Sequence, residues 1–237
     1  MISLGWGCLA THIHHSQGSP SIHSETHAPR TRAEFRRKYV PCLTKFWSFT
    51  GPIALIAWVS VWRTLWSPPC AVRGADAELI DAKAVSLPML DRMYKEFAPG
   101  TAPPAMEALA TKIKAADAFV FVTGEYNWGM QPGLKNLTDH FLEEWFWRPA
   151  AIVSYSAGRF AGARANTAWH GTLSEMGMVV VSSTLAVGQI ADALDATGQP
   201  IGALGEALQQ AFPRFADDLA WWTEAAKAQR ARKLPPY

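Results

Sequence analysis

The chain has 237 residues, 49% of them hydrophobic and 11% aromatic, which is enough to bury a substantial core and excludes disorder along most of its length. A formal net charge of +2, with only 18% charged residues, creates no field that would make nucleic acid the principal partner. Three cysteines, Cys8, Cys42 and Cys70, are too few and too scattered for a disulfide framework or a zinc site, so a reducing cytoplasm is the default location.

These averages hide a seam near Arg73. Residues 1–72 hold all three cysteines, five of the seven histidines and five of the eleven tryptophans. Seven basic side chains there face only Glu25 and Glu34, a net of +5, whereas the remainder carries 15 basic and 18 acidic groups, a net of −3. Residues 1–35 are rich in Ser, His, Thr and Pro and lack apolar periodicity, the composition of an unstructured leader. His12, His14 and His15 have no accompanying acids and read as part of that solvated leader rather than as a metal site. The uncharged run Phe46–Trp62 is short for a membrane span and is interrupted by Gly51 and Pro52, so a membrane anchor is not expected.

From Gly74 onward strands and helices alternate. Ala77–Asp81 is a strand-like run, and Leu87–Leu90 a loop with apolar anchors. Pro103 and Pro104 open a helix that sets Met106, Leu109, Ala110 and Ile113 on one face and stops before Asp117. Ala118–Thr123 is a continuous β-branched and aromatic run, the pattern of a strand covered on both faces. A helix beginning around Pro132 and Gly133 places Leu134, Leu137, Phe141 and Trp145 on one side, with Lys135, Asp139, Glu143 and Glu144 mainly elsewhere. Trp145, Phe146 and Trp147 suit either a subunit interface or the core. Ala150–Tyr155 is a second buried strand, followed by the glycine-bearing loop Ser156–Gly162, a helix through Trp169 and Leu173, and a third strand at Met178–Ser183. Ile201–Lys227 is helical in character, with a break or second start at Pro213 and an inner face of Phe215, Leu219, Trp222 and Ala226. Such alternation is the signature of a doubly wound α/β fold.

Open parallel sheets bind ligands beyond the carboxyl ends of their strands, here just after Val122, Ser154 and Ser183. Two of those loops are unusual: Thr123–Gly133 combines aromatics, an amide and three glycines, and Tyr155–Arg159 is built of small residues that let a flat ligand approach the backbone. His140 and His170 have no carboxylate at a triad-like spacing and read as structural or surface groups.

At these loops the chain resembles the NADPH-dependent FMN reductase family of flavodoxin-like proteins. Gly124-Glu125-Tyr126-Asn127, followed by Pro132-Gly133-Leu134-Lys135-Asn136 and Asp139, is similar to that family's Pro-Glu-Tyr-Asn loop and Leu-Lys-Asn helix start. Ala151 to Arg164 is similar to the strand and glycine loop that flank the isoalloxazine, and the likeness runs from about Gly74 to Trp222. The resemblance implies a flavodoxin-like sheet, FMN as cofactor, NADPH as hydride donor, a flavin, quinone or similar small acceptor, and a homodimer or homotetramer. It implies that Glu125, Tyr126 and Asn127, in one loop with Gly124 and Trp128, line one side of the flavin, and that Ser156, Ala157 and Gly158 line the other. Arg159 pairs with a nicotinamide phosphate or is a plain surface arginine. Hydride chemistry belongs to the flavin, so no catalytic side chain and no metal is called for.

Two departures from the family pattern stand out. Gly124 replaces a frequent proline, with Met130-Gln131 preceding Pro132. More importantly, no Gly-Ser-x-Arg loop to grip the FMN phosphate precedes Gly74, so the family's first strand and phosphate loop are expected to be missing or replaced. Ile53–Val61 has the apolar character of a stand-in strand, but Trp62–Pro69 offers no glycine turn. Residues 1–72 are therefore expected to be an atypical, disordered or poorly packed segment, a misassigned start or out-of-frame translation. They precede a reductase domain at 73–230 and a tail at 231–237. The alternative function is that of a flavin-incompetent family remnant acting as an interaction protein.

Overall fold

The computed structural model describes residues 44–50 and 75–237 apart from Thr197, with side chains from Ala77 onward. Within these bounds the apolar runs pair as one parallel sheet: β1 (Thr44–Thr50), β2 (Ala75–Asp81), β3 (Ala118–Gly124), β4 (Pro149–Tyr155), β5 (Val179–Val180) and β6 (Leu185–Val187). Its order is β2-β1-β3-β4-β5, with β6 also on β4, and every pairing is parallel. The place between β2 and β3 is filled by β1, whose Phe46 stands opposite Ala77 on one side and Ala118 on the other. Neither neighbour is left with a bare edge there. Ile53–Val61 lies outside the described residues. The run Phe46–Trp62 begins inside β1, and among the described residues no helix is long and apolar enough to cross a membrane.

Side chains alternate across the pleat, so β3 feeds two cores. Phe119 and Phe121 point into one, with Ile152 of β4 and with α2 (Pro104–Ala115), α3 (Pro132–Asp139) and α4 (Ala163–Glu175). Val120, Val122 and Val153 point into the other, against α6 (Gly202–Arg232). Two short helices complete the set, α1 after β2 (Ala82–Val85) and α5 after β6 (Ile190–Ala193). As the periodicity requires, α2 buries Met106, Leu109, Ala110 and Ile113. Its carboxyl end is closed by Arg148, which donates to the carbonyls of Lys114 and Ala116 at 2.7 Å each. The core reading holds for Trp145, whose ring meets Phe119 edge-on at 4.8 Å while its Nε1 donates to the carbonyl of Phe141 at 3.2 Å.

Three expectations need correction. The helix from Pro132 ends at Asp139, so helical phase is lost, and Glu144 turns inward, only 5% exposed, beside Lys114 at 3.5 Å. Pro213 neither breaks nor restarts α6: its ring sits on the exposed side, and the inner face runs through Leu208, Phe212, Phe215, Ala216, Leu219 and Thr223. Trp222 lies off that face, 39% exposed. The third strand is neither as long as Met178–Ser183 nor buried along its length: β5 spans Val179–Val180, Val179 is 41% exposed, and beyond it the Ser183 N–H donates to Asp218 of α6 at 2.9 Å, out of the ladder. Pairing with β4 resumes at β6, so this part of the sheet ends at Val187 instead of Ser183.

Candidate functional site

The loop after β3 turns within two residues. The Tyr126 N–H donates to the Gly129 carbonyl at 3.1 Å and the Gly129 N–H to the Tyr126 carbonyl at 2.9 Å, closing a turn in which Asn127 and Trp128 both have positive φ, 45° and 73°. Asn accepts that conformation; the second place normally belongs to glycine, and here a tryptophan occupies it, 74% exposed. Below the turn, a Cβ on Gly124 would stand 2.9 Å from the Tyr155 ring and 3.1 Å from the Tyr126 ring. The glycine that replaces proline therefore lets two aromatic rings close over the strand end. Buried Gln131 accepts from the Gly124 N–H at 3.4 Å through Oε1. The Tyr155 phenol is held far above its ordinary range, first by burial and then by Tyr126, with the Gln131 amide opposing.

The loop after β4 is tied to both neighbours. The Glu125 N–H donates to the Tyr155 carbonyl at 3.1 Å on one side. On the other, the Ser156 N–H donates to Val187 at 3.1 Å and the Gln189 N–H to Gly158 at 3.0 Å. Within the loop, Ser156 Oγ donates to the Gly158 carbonyl at 2.7 Å. Gly162 enters α4 at φ 73°, and a Cβ there would meet the Tyr155 carbonyl oxygen at 2.8 Å. Gly158, by contrast, faces open space.

Glu125 and Arg164 lock the two loops together. One Glu125 oxygen accepts from the Arg164 backbone N–H at 3.0 Å, capping α4, and the other from its guanidinium at 2.6 Å. Burial alone would raise the Glu125 carboxyl; the Arg164 bonds outweigh it and hold the group below its ordinary value. The same guanidinium lies 3.7 Å over the Trp128 ring and 4.8 Å over the Phe160 ring, while Arg159 stands 5.1 Å over Phe160.

Thus the sequence-expected residues Gly124 to Trp128 and Ser156 to Arg159 are brought together on adjoining loops at the carboxyl end of β3 and β4. Among the described residues, the backbone N–H groups of Asn127, Trp128, Ala157 and Gly158 have no acceptor. Gln131, Phe160 and Arg164 lie within stretches the sequence marks, but their contacts, like the place of the Gly188–Gln189 loop, could not be read from it. Arg164 pairs with a residue 39 positions away, and Gly188 follows a strand end that sequence periodicity sets four residues too early. Residues 51–74, which follow β1 in the chain, are outside those described.

Residues 68–192 match the sequence model of a family described as NADPH-dependent FMN reductase. The chain is 40% identical over 96 residues to an NAD(P)H-dependent FMN reductase of Pseudomonas aeruginosa, covering 39% of this chain and 49% of that one. It is 29% identical over 143 residues to a quinone reductase of Pseudomonas putida, covering 57% and 75%. The matched span is about half the length, or less, of the first curated relatives. The structure superposes on FerB, a flavoenzyme NAD(P)H:(acceptor) oxidoreductase of Paracoccus denitrificans, with a TM-score of 0.61, 22% identity, and coverage of 78% of this chain and 99% of that one. That likeness shows the fold.

Proposed function

The chain belongs to the NADPH-dependent FMN reductase family, and from that premise we propose that it passes hydride from NAD(P)H through bound FMN to a flavin, quinone or similar small acceptor. The observation that carries this reading is that the unengaged amides of Asn127 and Trp128 and those of Ala157 and Gly158 lie on adjoining loops beyond the carboxyl ends of β3 and β4, with open space at Gly158. Flavin carbonyls and ring nitrogens are acceptors and fit such donors. When bound, FMN supplies the hydride-transfer chemistry. The protein's part is to hold and orient: Tyr126 and the bare Gly158 flank the ring, the amides fix its edge, and Glu125 with Arg164 keeps the two loops at a constant spacing. Arg159 is assigned to a phosphate of the nicotinamide nucleotide. A homodimer or homotetramer in the cytoplasm belongs to the same reading.

A flavin-incompetent remnant is the second reading, favoured by the absence of a Gly-Ser-x-Arg loop before Gly74. FMN titration followed by flavin fluorescence separates the two, with NADPH oxidation measured alongside. The first reading expects saturable binding and NADPH oxidation that depends on added FMN. It also expects Tyr126→Ala to weaken FMN by about 1–2 kcal/mol. A folded chain that never saturates with FMN establishes the remnant.

A further inference from the structure

The long helix α6 buries a single face on the sheet, running through Phe212, Phe215 and Leu219. At helical spacing Trp221 falls directly opposite that face, and it is 57% exposed. Trp222, on the flank and 39% exposed, meets the Trp221 ring edge-on at 5.0 Å and braces it. Together the two rings leave about 150–250 Å² of aromatic surface in water per copy, more than scattered surface residues account for. Along the same outer ridge, Asp217 stands one turn before Trp221, and Ala225, Ala228 and Arg232 follow it, all of them exposed.

A large ring beside small residues, with an acid toward one end and a base toward the other, makes this ridge complementary to itself. Run antiparallel to a second copy, about a two-fold axis between Glu224 and Ala225, it sets Trp221 against Ala228 of the second copy and Asp217 against Arg232 of the second copy. Moving the axis onto Trp221 would set ring on ring and Asp218 against Glu224, so charge selects the first register. The acids Asp217 and Glu224 beside the ring also disfavour an anionic lipid surface as the occupant.

We infer that the outer ridge of α6 is an isologous interface with a second copy of this chain, centred on Trp221 and flanked by two Asp217–Arg232 pairs. This half of α6 is fastened to the amino end of the sheet, where Lys227 and Arg230 meet Asp117 at 3.0 and 3.2 Å. The loops after β3 and β4 lie at the other end of the strands. Each copy therefore keeps its own site whole and uncovered, and the interface does not depend on the hydride-transfer reading.

Sedimentation equilibrium of the full-length chain tests it, with thermal melts confirming that each variant folds. The wild type is expected to be a dimer at micromolar concentration, and Trp221→Glu to weaken association about a hundredfold. Asp217→Lys and Arg232→Asp alone should each weaken it about tenfold, because each sets like charges together at both ends of the axis. An equimolar mixture of those two variants re-forms both pairs in a mixed dimer, and the double variant re-forms them in its own; both should recover to within about threefold of wild type. A monomeric wild type overturns the inference, and if that monomer sediments with mixed phosphatidylcholine–phosphatidylglycerol vesicles, the ridge serves a lipid surface instead. A dimer of unchanged strength in Trp221→Glu, or a mixture that fails to recover, overturns it as well. FMN uptake enters none of these outcomes, so a chain that never binds flavin still tests the interface.

Discussion

Glu125 is the residue on which the two halves of the site depend, because one carboxylate both caps α4 and neutralises Arg164. Replacement by glutamine leaves a guanidinium only 28% exposed without its counter-charge, and should cost about 1–3 kcal/mol at neutral pH. The sign of the pH dependence follows from the depressed carboxyl. Its contribution is fully present above the ordinary glutamate range, and it is lost as pH falls through the lower value of the folded state. Urea unfolding of wild type and Glu125→Gln should therefore show a gap at pH near 7 that closes in acid; a gap of constant size would mean that the pair contributes nothing through its charge. At Gly158 the expectation is opposite in kind. Since a Cβ there meets nothing within 4 Å, Gly158→Val should melt within about 1 kcal/mol of wild type yet fail to take up FMN, because its methyls enter the space assigned to the ring. Retained FMN affinity in that variant would move the ring elsewhere.

Elements were legible where one physical cause dominates. The α2 face could be read because four apolar residues at helical spacing have a single sheet to bury against, and β3 because every position in it is covered. Reading failed where a distant polar group intervenes: Asp218 lies 35 residues beyond Ser183 and accepts its N–H, and nothing near Ser183 announces it. The passage of α6 through Pro213 is a related case. Proline usually stops a helix, but here packing of Phe212, Phe215 and Leu219 on the sheet sustains both flanks. The unfavourable ring should still register in stability. Pro213→Ala, on the exposed side of α6, is expected to raise the free energy of unfolding by about 1–3 kcal/mol in a urea melt. A loss of stability would mean that a bend at Pro213 is needed for the helix to follow the sheet.

At the scale of the molecule, the sheet depends on a strand that sequence reading passed over. Thr44–Thr50 mixes hydroxyls with aromatics and carries Lys45, while Ile53–Val61 a few residues later has the continuous apolar character expected of a central strand. The pairing nevertheless sets β1 between β2 and β3, and a ladder bonded on both sides stabilises a backbone largely independently of side-chain polarity. This gives a direct test of whether the compositionally foreign N-terminal part of the chain is integral to the domain. Ser48 stands in the middle of β1, opposite Leu79 on one side and Val120 on the other. Proline at that position removes an amide from a central strand and forces its φ, which sheets tolerate only at edges and bulges. Ser48→Pro should therefore destabilise the fold by about 3 kcal/mol or more and leave β2 and β3 edges open to association. Thermal unfolding followed by far-ultraviolet circular dichroism, with light scattering alongside, reads both effects. If the variant melts as wild type does, the sheet stands without β1, and the site has no central strand from which a phosphate loop could be reached; a large loss makes the residues before the seam part of the domain.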